Sequence, residues 1–128
     1  MSIASTAQIH PTAQVAGDAE VGHFAVIGAD VEIGGGAVLG HHVVIHDGSR
    51  VGASVRVDDH AVIGKRPMRS LRSATTSAAE IAPAVVGEGS LVGTGAVVYR
   101  GATLGARVLV ADYATVRERV TVGDETIV

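Results

Sequence analysis

Two groups of side chains in this chain have the chemistry to take part in a reaction: its histidines and a short cationic run. Imidazole titrates near neutral pH, so a histidine can take a proton from a reacting group or bind a metal ion. The six histidines are His10, His23, His41, His42, His46 and His60. The cationic run consists of Lys65, Arg66, Arg69 and Arg72. Such cations bind phosphate oxygens, so both groups are candidates for a functional site.

A six-residue period of apolar residues runs through most of the sequence. The guide positions are Ile3, Ile9, Val15, Val21, Ile27, Ile33, Leu39, Ile45, Val51, Val57 and Ile63, then Val86, Val92, Val98, Leu104, Val110, Val116, Val122 and Val128. The residue four places after each guide is nearly always small or β-branched, and glycine often follows the guide. Such a fixed period indicates a repeat architecture, whereas a β-sandwich would show alternation and a helix a period of 3.6.

The six-residue unit predicts one short strand followed by one tight corner. The guide and the small residue point inward, and glycine after the guide suits a corner that needs positive φ or close backbone approach. Three units make a coil of 18 residues, and successive coils stack as parallel strands about 4.8 Å apart. The sequence therefore predicts an all-β triangular prism of about six coils, a single domain over residues 1–128. Its narrow core agrees with an aromatic content of 2%.

One insertion interrupts the period. Ile63 and Val86 lie 23 residues apart where the period requires six, which predicts coils over 1–63 and 86–128 and a protruding loop over 64–85. Residues 18 apart stack, so the chain has three corners. The first corner has two columns, His23, His41, Asp59 and Phe24, His42, His60. The second corner carries His10, His46 and Tyr99, and the basic loop leaves from it. The third corner is small and acidic.

The repeat resembles the left-handed parallel β-helix of hexapeptide-repeat acyltransferases. Residues 39–45 (LGHHVVI) resemble the catalytic coil of enzymes that acylate UDP-amino sugars and related nucleotide-linked amino sugars. This resemblance implies a left-handed coil, with His41 as the general base that deprotonates the acceptor amine or hydroxyl as it attacks an acyl thioester. His42 stands where the family often has a carboxylate or amide, so Asp59, one coil further on, is the expected orienting carboxylate. His23 fits the same pattern and ranks second.

The same resemblance implies the substrates and the assembly. The acyl donor is expected to be acyl-CoA or acyl carrier protein, the acceptor a nucleotide-linked sugar, and no cofactor or metal is expected to be bound permanently. A homotrimer is expected, with each site between the first corner of one subunit and the second corner of the next. The residues expected to bind substrate are His42, His46, His60, Lys65, Arg66, Arg69, Arg72 and Tyr99.

Two other interpretations remain open from the sequence. γ-Type carbonic anhydrases share this fold, and His41 and His46 have the five-residue spacing of their zinc motif. Zinc there needs a third histidine stacked beside the second, but Gly28 and Gly64 flank His46, so the set is incomplete. The other alternative is a structural trimer, or a truncated fragment, without catalysis.

Composition narrows the remaining classes. A net charge of −3 argues against nucleic-acid binding, and the absence of cysteine excludes disulfides, thiol nucleophiles and thiolate metal sites. No signal-like or membrane-length apolar segment is present, which predicts a soluble cytoplasmic protein without membrane contact. The sequence ends on a guide residue without a capping element, so we expect a truncated chain whose terminal coils fray.

Overall fold

The structure is a computed structural model that describes residues 2–68 and 81–128. Within these residues the chain forms two- to four-residue strands separated by tight turns, and no helix. Each strand contains one guide residue. The predicted period thus gives one strand per six-residue unit, which confirms the all-β prediction.

The strands form three parallel sheets, each built from every third strand. The first sheet contains β1 (Ser2–Ile3), β4 (Glu20–Val21), β7 (Val38–Leu39), β10 (Arg56–Val57), β13 (Leu91–Val92) and β16 (Leu109–Val110). The second sheet contains β2 (Gln8–Ile9), β5 (Val26–Ile27), β8 (Val44–Ile45), β11 (Val62–Lys65), β14 (Val97–Tyr99) and β17 (Thr115–Val116). The third sheet contains β3 (Gln14–Val15), β6 (Glu32–Ile33), β9 (Arg50–Val51), β12 (Val85–Val86), β15 (Thr103–Leu104) and β18 (Thr121–Val122). Six strands in each sheet confirm the expected six coils.

The core is a narrow column of guide residues and small residues. Ile27, Ile45 and Ile63 are at most 1% exposed, and the small positions between them, such as Ala25 and Ala61, are fully buried. Burying a side chain the size of isoleucine contributes about 1.5–3 kcal/mol. The periodic pattern that identifies the fold is therefore also the pattern that stabilises it.

The corners explain why glycine follows many guides. A Cβ on Gly22 would lie 2.7 Å from the carbonyl carbon of Gly40 in the next coil, so the glycine permits close stacking. Positive φ falls two residues later, on Phe24 (59°) and His42 (56°). Of the two reasons predicted for glycine after the guide, close backbone approach therefore applies at Gly22. Positive φ applies at Gly64, whose φ is 88°.

The insertion begins and ends inside the predicted loop. Strand β11 continues to Lys65, which pairs with Tyr99 across a bulge, and β12 resumes at Val85. Backbone hydrogen bonds fix both ends: Arg100 N–H donates to Lys65 O (2.9 Å) and Arg50 N–H to Ala84 O (2.9 Å). The insertion thus lies between Lys65 and Ala84, and Ala84 already belongs to the core of the repeat. Residues 69–80, which form the centre of the predicted protruding loop, lie outside the described residues.

Candidate functional site

The first corner stacks its rings in the two predicted columns. His23 and His41 have ring centroids 5.3 Å apart at an interplanar angle of 19°. In the neighbouring column Phe24 lies 5.3 Å from His42, and His42 lies 4.9 Å from His60 with the rings almost parallel at 2°. This arrangement confirms that residues 18 apart stack, which brings four of the six histidines together on one exposed edge.

His41 uses its ring to hold the corner of the preceding coil. Its Nδ1 accepts the backbone N–H of His23 at 2.8 Å. Since Nδ1 acts as an acceptor, the neutral ring carries its proton on Nε2. The outward nitrogen is then a donor, whereas a general base needs a lone pair there. In this arrangement His41 can donate a hydrogen bond to a ligand, but it must release His23 before it can act as a base through Nε2.

Asp59 does not orient the His41 ring as the sequence suggested. Its Oδ1 accepts the backbone N–H of His41 at 2.8 Å, which is the same contact that His41 makes to His23. Three other aspartates make this contact to the preceding coil. They are Asp47 to Ala29, Asp112 to Thr94 and Asp124 to Ala106. Asp59 is therefore one of four corner aspartates whose carboxylate accepts a backbone N–H of the preceding coil, which gives that donor a partner.

His23 differs from His41 in the partner of its ring. Its Nδ1 lies 3.0 Å from the hydroxyl oxygen of Thr6, and that oxygen also accepts the backbone N–H of Phe24 at 3.3 Å. A hydroxyl can donate or accept, so either ring nitrogen of His23 can carry the proton. His23 thus has a tautomer with a free Nε2 lone pair without breaking this contact.

The second corner brings His46 next to the cations at the start of the insertion. Partial burial lowers the pKa of the His46 imidazole below its usual value, Asp47 opposes this shift, and the charges of Arg66 and Lys65 lower the pKa further. A lowered pKa keeps the imidazole neutral at pH 7. The lowered pKa favours the neutral form of His46, which lies near one carboxylate, Asp47, and two cations, Arg66 and Lys65; these cations suit a base that acts beside the anionic groups of a ligand.

Gly64 allows β11 to pass directly over His46. A Cβ on Gly64 would lie 3.1 Å from the Cβ of His46 and would overlap the hydroxyl of Ser49. The Ser49 hydroxyl is buried without a hydrogen-bond partner among the described residues. The close approach brings the beginning of the insertion against the corner that carries His46.

The sequence suggested Tyr99 as a ligand contact, but the structure buries its side chain. Its side chain is 5% exposed. Lys65 Nζ lies 5.2 Å from its ring centroid and the Arg117 guanidinium carbon 4.7 Å from it. Cations are attracted to the face of an aromatic ring. Tyr99 therefore holds two cations at the second corner, and its burial leaves little surface for a ligand.

The remaining predicted residues fall into two groups. Lys65 and Arg66 lie at the second corner with His46, whereas Arg69 and Arg72 lie outside the described residues. In the part of the chain that the structure describes, no three His, Asp or Glu side chains are grouped to hold a metal ion.

Sequence reasoning missed Arg100 as a site residue, although its place in the second-corner column could have revealed it.

Known proteins resemble this chain in sequence over one segment and in structure over nearly its whole length. The bacterial transferase hexapeptide family (six repeats) matches residues 24–59. The structure is similar to the UDP-N-acetylglucosamine acyltransferase of Francisella novicida, with 26% identity, a TM-score of 0.85 and coverage of 95% of this chain and 45% of that chain. It is also similar to LpxA from Acinetobacter baumannii, with 27% identity, a TM-score of 0.86 and coverage of 98% and 49%. No curated protein matches the sequence.

These similarities confirm the predicted resemblance. The chain has the left-handed parallel β-helix fold of hexapeptide-repeat acyltransferases. It spans less than half the length of the two acyltransferase structures described above. Across residues 2–68 and 81–128, no helix is long and apolar enough to cross a membrane.

Proposed function

We propose that this protein is an acyltransferase that moves an acyl group from acyl-CoA or acyl carrier protein to an amino or hydroxyl group of a nucleotide-linked sugar. The observation that carries the proposal is the similarity, over nearly all of this chain, to two acyltransferases, one of which is named for UDP-N-acetylglucosamine. The donor is a co-substrate, so the reaction requires no permanently bound cofactor. Acyl-CoA and acyl carrier protein are both found in the cytoplasm, and on that ground we place the protein in the cytoplasm as one β-helix domain.

The proposed reaction needs one base and one hydrogen-bond donor. The base removes a proton from the acceptor N–H or O–H as the acceptor atom forms a bond to the thioester carbonyl carbon. The carbon–sulfur bond then breaks, and the leaving thiolate takes up the proton. A donor near the carbonyl oxygen stabilises the negative charge that develops there. Histidines at neighbouring corners can supply both groups.

The sequence named His41 as the base, and the ring contacts favour a revised assignment. The Nδ1 of His41 is occupied by the His23 N–H, which leaves Nε2 protonated and suited to donate. His46 has a lowered pKa beside Lys65 and Arg66, which favours the neutral form that a base requires. We therefore assign the base to His46, and the donor role to His41. His42 and His60, exposed in the adjacent stack, remain proposed ligand contacts.

A trimer would bring these two corners together. The outward residues of the second sheet are apolar in four successive strands. They are Val26, Val44, Val62 and Val97. Val26 is 43% exposed, so the stripe faces solvent in the isolated chain. If the second sheet faces a threefold axis, the first corner of one subunit meets the second corner of the next, and His41 faces the neighbour's His46.

The charges on the two corners support this arrangement. The described acidic residues of the first corner are Asp58, Asp59 and Asp112. The second corner carries five described basic residues, Lys65, Arg66, Arg100, Arg117 and Arg119, and three acidic ones, Asp30, Asp47 and Glu118, so its formal charge is +2 against −3 for the first corner. Opposite charges on the two edges of one face favour a cyclic contact between identical subunits. A composite site in the cleft follows from the same geometry.

The activity is tested with the protein, UDP-N-acetylglucosamine and a series of acyl-CoA and acyl carrier protein donors. Mass spectrometry should detect the acylated sugar nucleotide together with the free thiol in equal amounts. The control is the double variant His41→Ala/His46→Ala, which should give only the background rate. Absence of transfer with every donor and with amino-sugar analogues of the acceptor would count against the proposal.

A further inference from the structure

A polar cavity lies where the two ends of the insertion meet at the second corner. Its volume is about 420 Å³, and it is lined by Arg66, Ile81, Ala82, Pro83 and Arg100. This volume falls within the range of about 300–1,000 Å³ that is usual for small-molecule sites. Two of the five lining residues are arginines, and no carboxylate lines the cavity among the described residues. Its chemistry is therefore that of an anion site.

Arg100 is fixed in place by contacts to three separate segments. Its Nε donates to Ile81 O at 2.8 Å and its Nη1 donates to Asp47 O at 2.9 Å. Its backbone N–H donates to Lys65 O at 2.9 Å. One residue thus joins the outgoing end of the insertion, the returning end, and the corner next to His46. Because the guanidinium has five N–H donors, these contacts leave donors available for a ligand.

The returning end of the insertion is seated on two glycines. A Cβ on Gly48 would lie 3.0 Å from Pro83 Cγ, and a Cβ on Gly101 would overlap the Ile81 side chain. Both glycines have positive φ, 77° and 90°, so they combine an unusual backbone conformation with close packing. The wall of the cavity is therefore held by the β-helix itself, which gives the guanidinium of Arg100 a rigid setting.

We propose that this cavity binds a phosphate group of a substrate through Arg66 and Arg100. Guanidinium groups bind phosphate oxygens in pairs of parallel hydrogen bonds, and an already positioned guanidinium loses little freedom on binding. The inference rests on the proposed acyl transfer, because both substrates of that reaction carry phosphates. The phosphate comes either from the nucleotide diphosphate of the acceptor or from the coenzyme A or phosphopantetheine group of the donor.

Inorganic pyrophosphate is the first probe. Titration calorimetry of the full chain should show binding that weakens as salt is raised. Arg66→Met should weaken binding by about tenfold, since one charge-assisted contact is lost, while the thermal unfolding temperature stays unchanged because Arg66 is exposed. Arg107→Met on the third corner is the matched control and should bind as the parent does. No binding, or equal effects of the two variants, would overturn the proposal.

A second variant separates the charge of Arg100 from its shape. Arg100→Lys keeps the positive charge but cannot contact Ile81 O and Asp47 O together with a phosphate. It should lose at least as much affinity as Arg66→Met does, and affinity equal to that of the parent would contradict the role of the fixed guanidinium.

Competition then identifies the source of the phosphate. UDP and coenzyme A are each titrated against bound pyrophosphate, and displacement by one of them assigns the cavity to the acceptor or to the donor. If neither displaces it, the cavity takes an adventitious ion only and the proposal fails. Pyrophosphate binding needs no acyl transfer, so an inactive protein that binds pyrophosphate and one of these ligands through Arg66 would refute the activity and leave the site intact.

Discussion

The first and second corners carry the same residue type and use it differently. At the first corner the coils repeat without interruption, and His41 and Asp59 each hold the backbone of the coil before them. At the second corner the insertion interrupts the repeat, and His46 lies beside Lys65 and Arg66 with a lowered pKa. A strict repeat gives each corner side chain a neighbour above and below, so its polar atoms serve the stack. Where the insertion interrupts the repeat, it brings the charges of Lys65 and Arg66 next to His46. These charges change the pKa of the histidine and can contact a ligand.

The strongest test of this difference compares single histidines for activity. His46→Ala should reduce kcat by about 10² to 10⁴, the usual contribution of a positioned base, and unfolding should change little because the side chain is exposed. His10→Ala, an exposed histidine of the same corner that lies outside the proposed site, is the matched control and should leave kcat unchanged. A larger loss in His41→Ala than in His46→Ala would return the base to the first corner.

The assembly test uses two exposed valines on different sheets. Val26 and Val38 are 43% and 40% exposed, but only Val26 belongs to the apolar stripe of the second sheet. Val26→Glu should weaken trimer formation by at least about a hundredfold, because a charge would be buried at the subunit contact. Val38→Glu should leave the oligomer intact. Light scattering measures both, and a monomeric parent protein at micromolar concentration would rule out the trimer.

The third test removes the backbone freedom that lets β11 pass over His46. Gly64→Ala places a Cβ against Ser49 and His46 at a φ of 88°. We expect the free energy of unfolding to fall by roughly 2 kcal/mol, and activity to fall with it. Gly17→Ala is the matched control, since a Cβ there has no neighbour within 4 Å. Equal denaturation midpoints for the two variants would show that this crossing is not constrained.

The fold could be predicted from the sequence because every guide residue occupies the same kind of position, an inward-pointing place in a short strand. Ile27, Ile45 and Ile63 occupy equivalent places in the core, so a single period determines strands, corners and coil number. The two columns of the first corner could be predicted from the same period, because residues 18 apart stack. The hydrogen bonds within these columns could not be predicted, since the choice between a ring contact and a backbone contact depends on side-chain conformation. The sequence therefore placed His41 correctly beside His23 without revealing that its Nδ1 was occupied.

The second corner was harder to predict because the insertion does not follow the repeat. Arg100 looked like one more corner residue, yet its guanidinium contacts Ile81 and Asp47. Ile81 lies at the end of the insertion, and Asp47 lies two coils before Arg100. The repeat relates Asp47 to Arg100, since both occupy the middle of the second corner, but no period relates either of them to Ile81. Tyr99 was expected at the surface, but Lys65 and Arg117 cover it, and such contacts between side chains are visible only once the insertion is folded against the corner.

The charge environment of His46 predicts a shift in the pH profile. Partial burial and the neighbouring Arg66 and Lys65 lower the pKa of His46, so the base form should persist to a lower pH than for an ordinary histidine. Arg66→Met removes one positive neighbour, which should raise this pKa and move the acidic limb of kcat to higher pH. Arg107→Met on the third corner should leave the limb in place. An acidic limb that moves to lower pH in Arg66→Met would contradict the assignment of His46.

The smallest expected effect tests whether His41 serves the stack. Its Nδ1 accepts the His23 backbone N–H, and an asparagine side-chain oxygen can accept the same bond, as Asp59 does for His41. His41→Asn should therefore unfold within about 0.5 kcal/mol of the parent, whereas His41→Ala should lose about 1 kcal/mol with the hydrogen bond. Urea denaturation of the two variants measures the difference. An alanine variant as stable as the parent would show that the ring contributes nothing to the corner, and would leave His41 free to turn and act as a base.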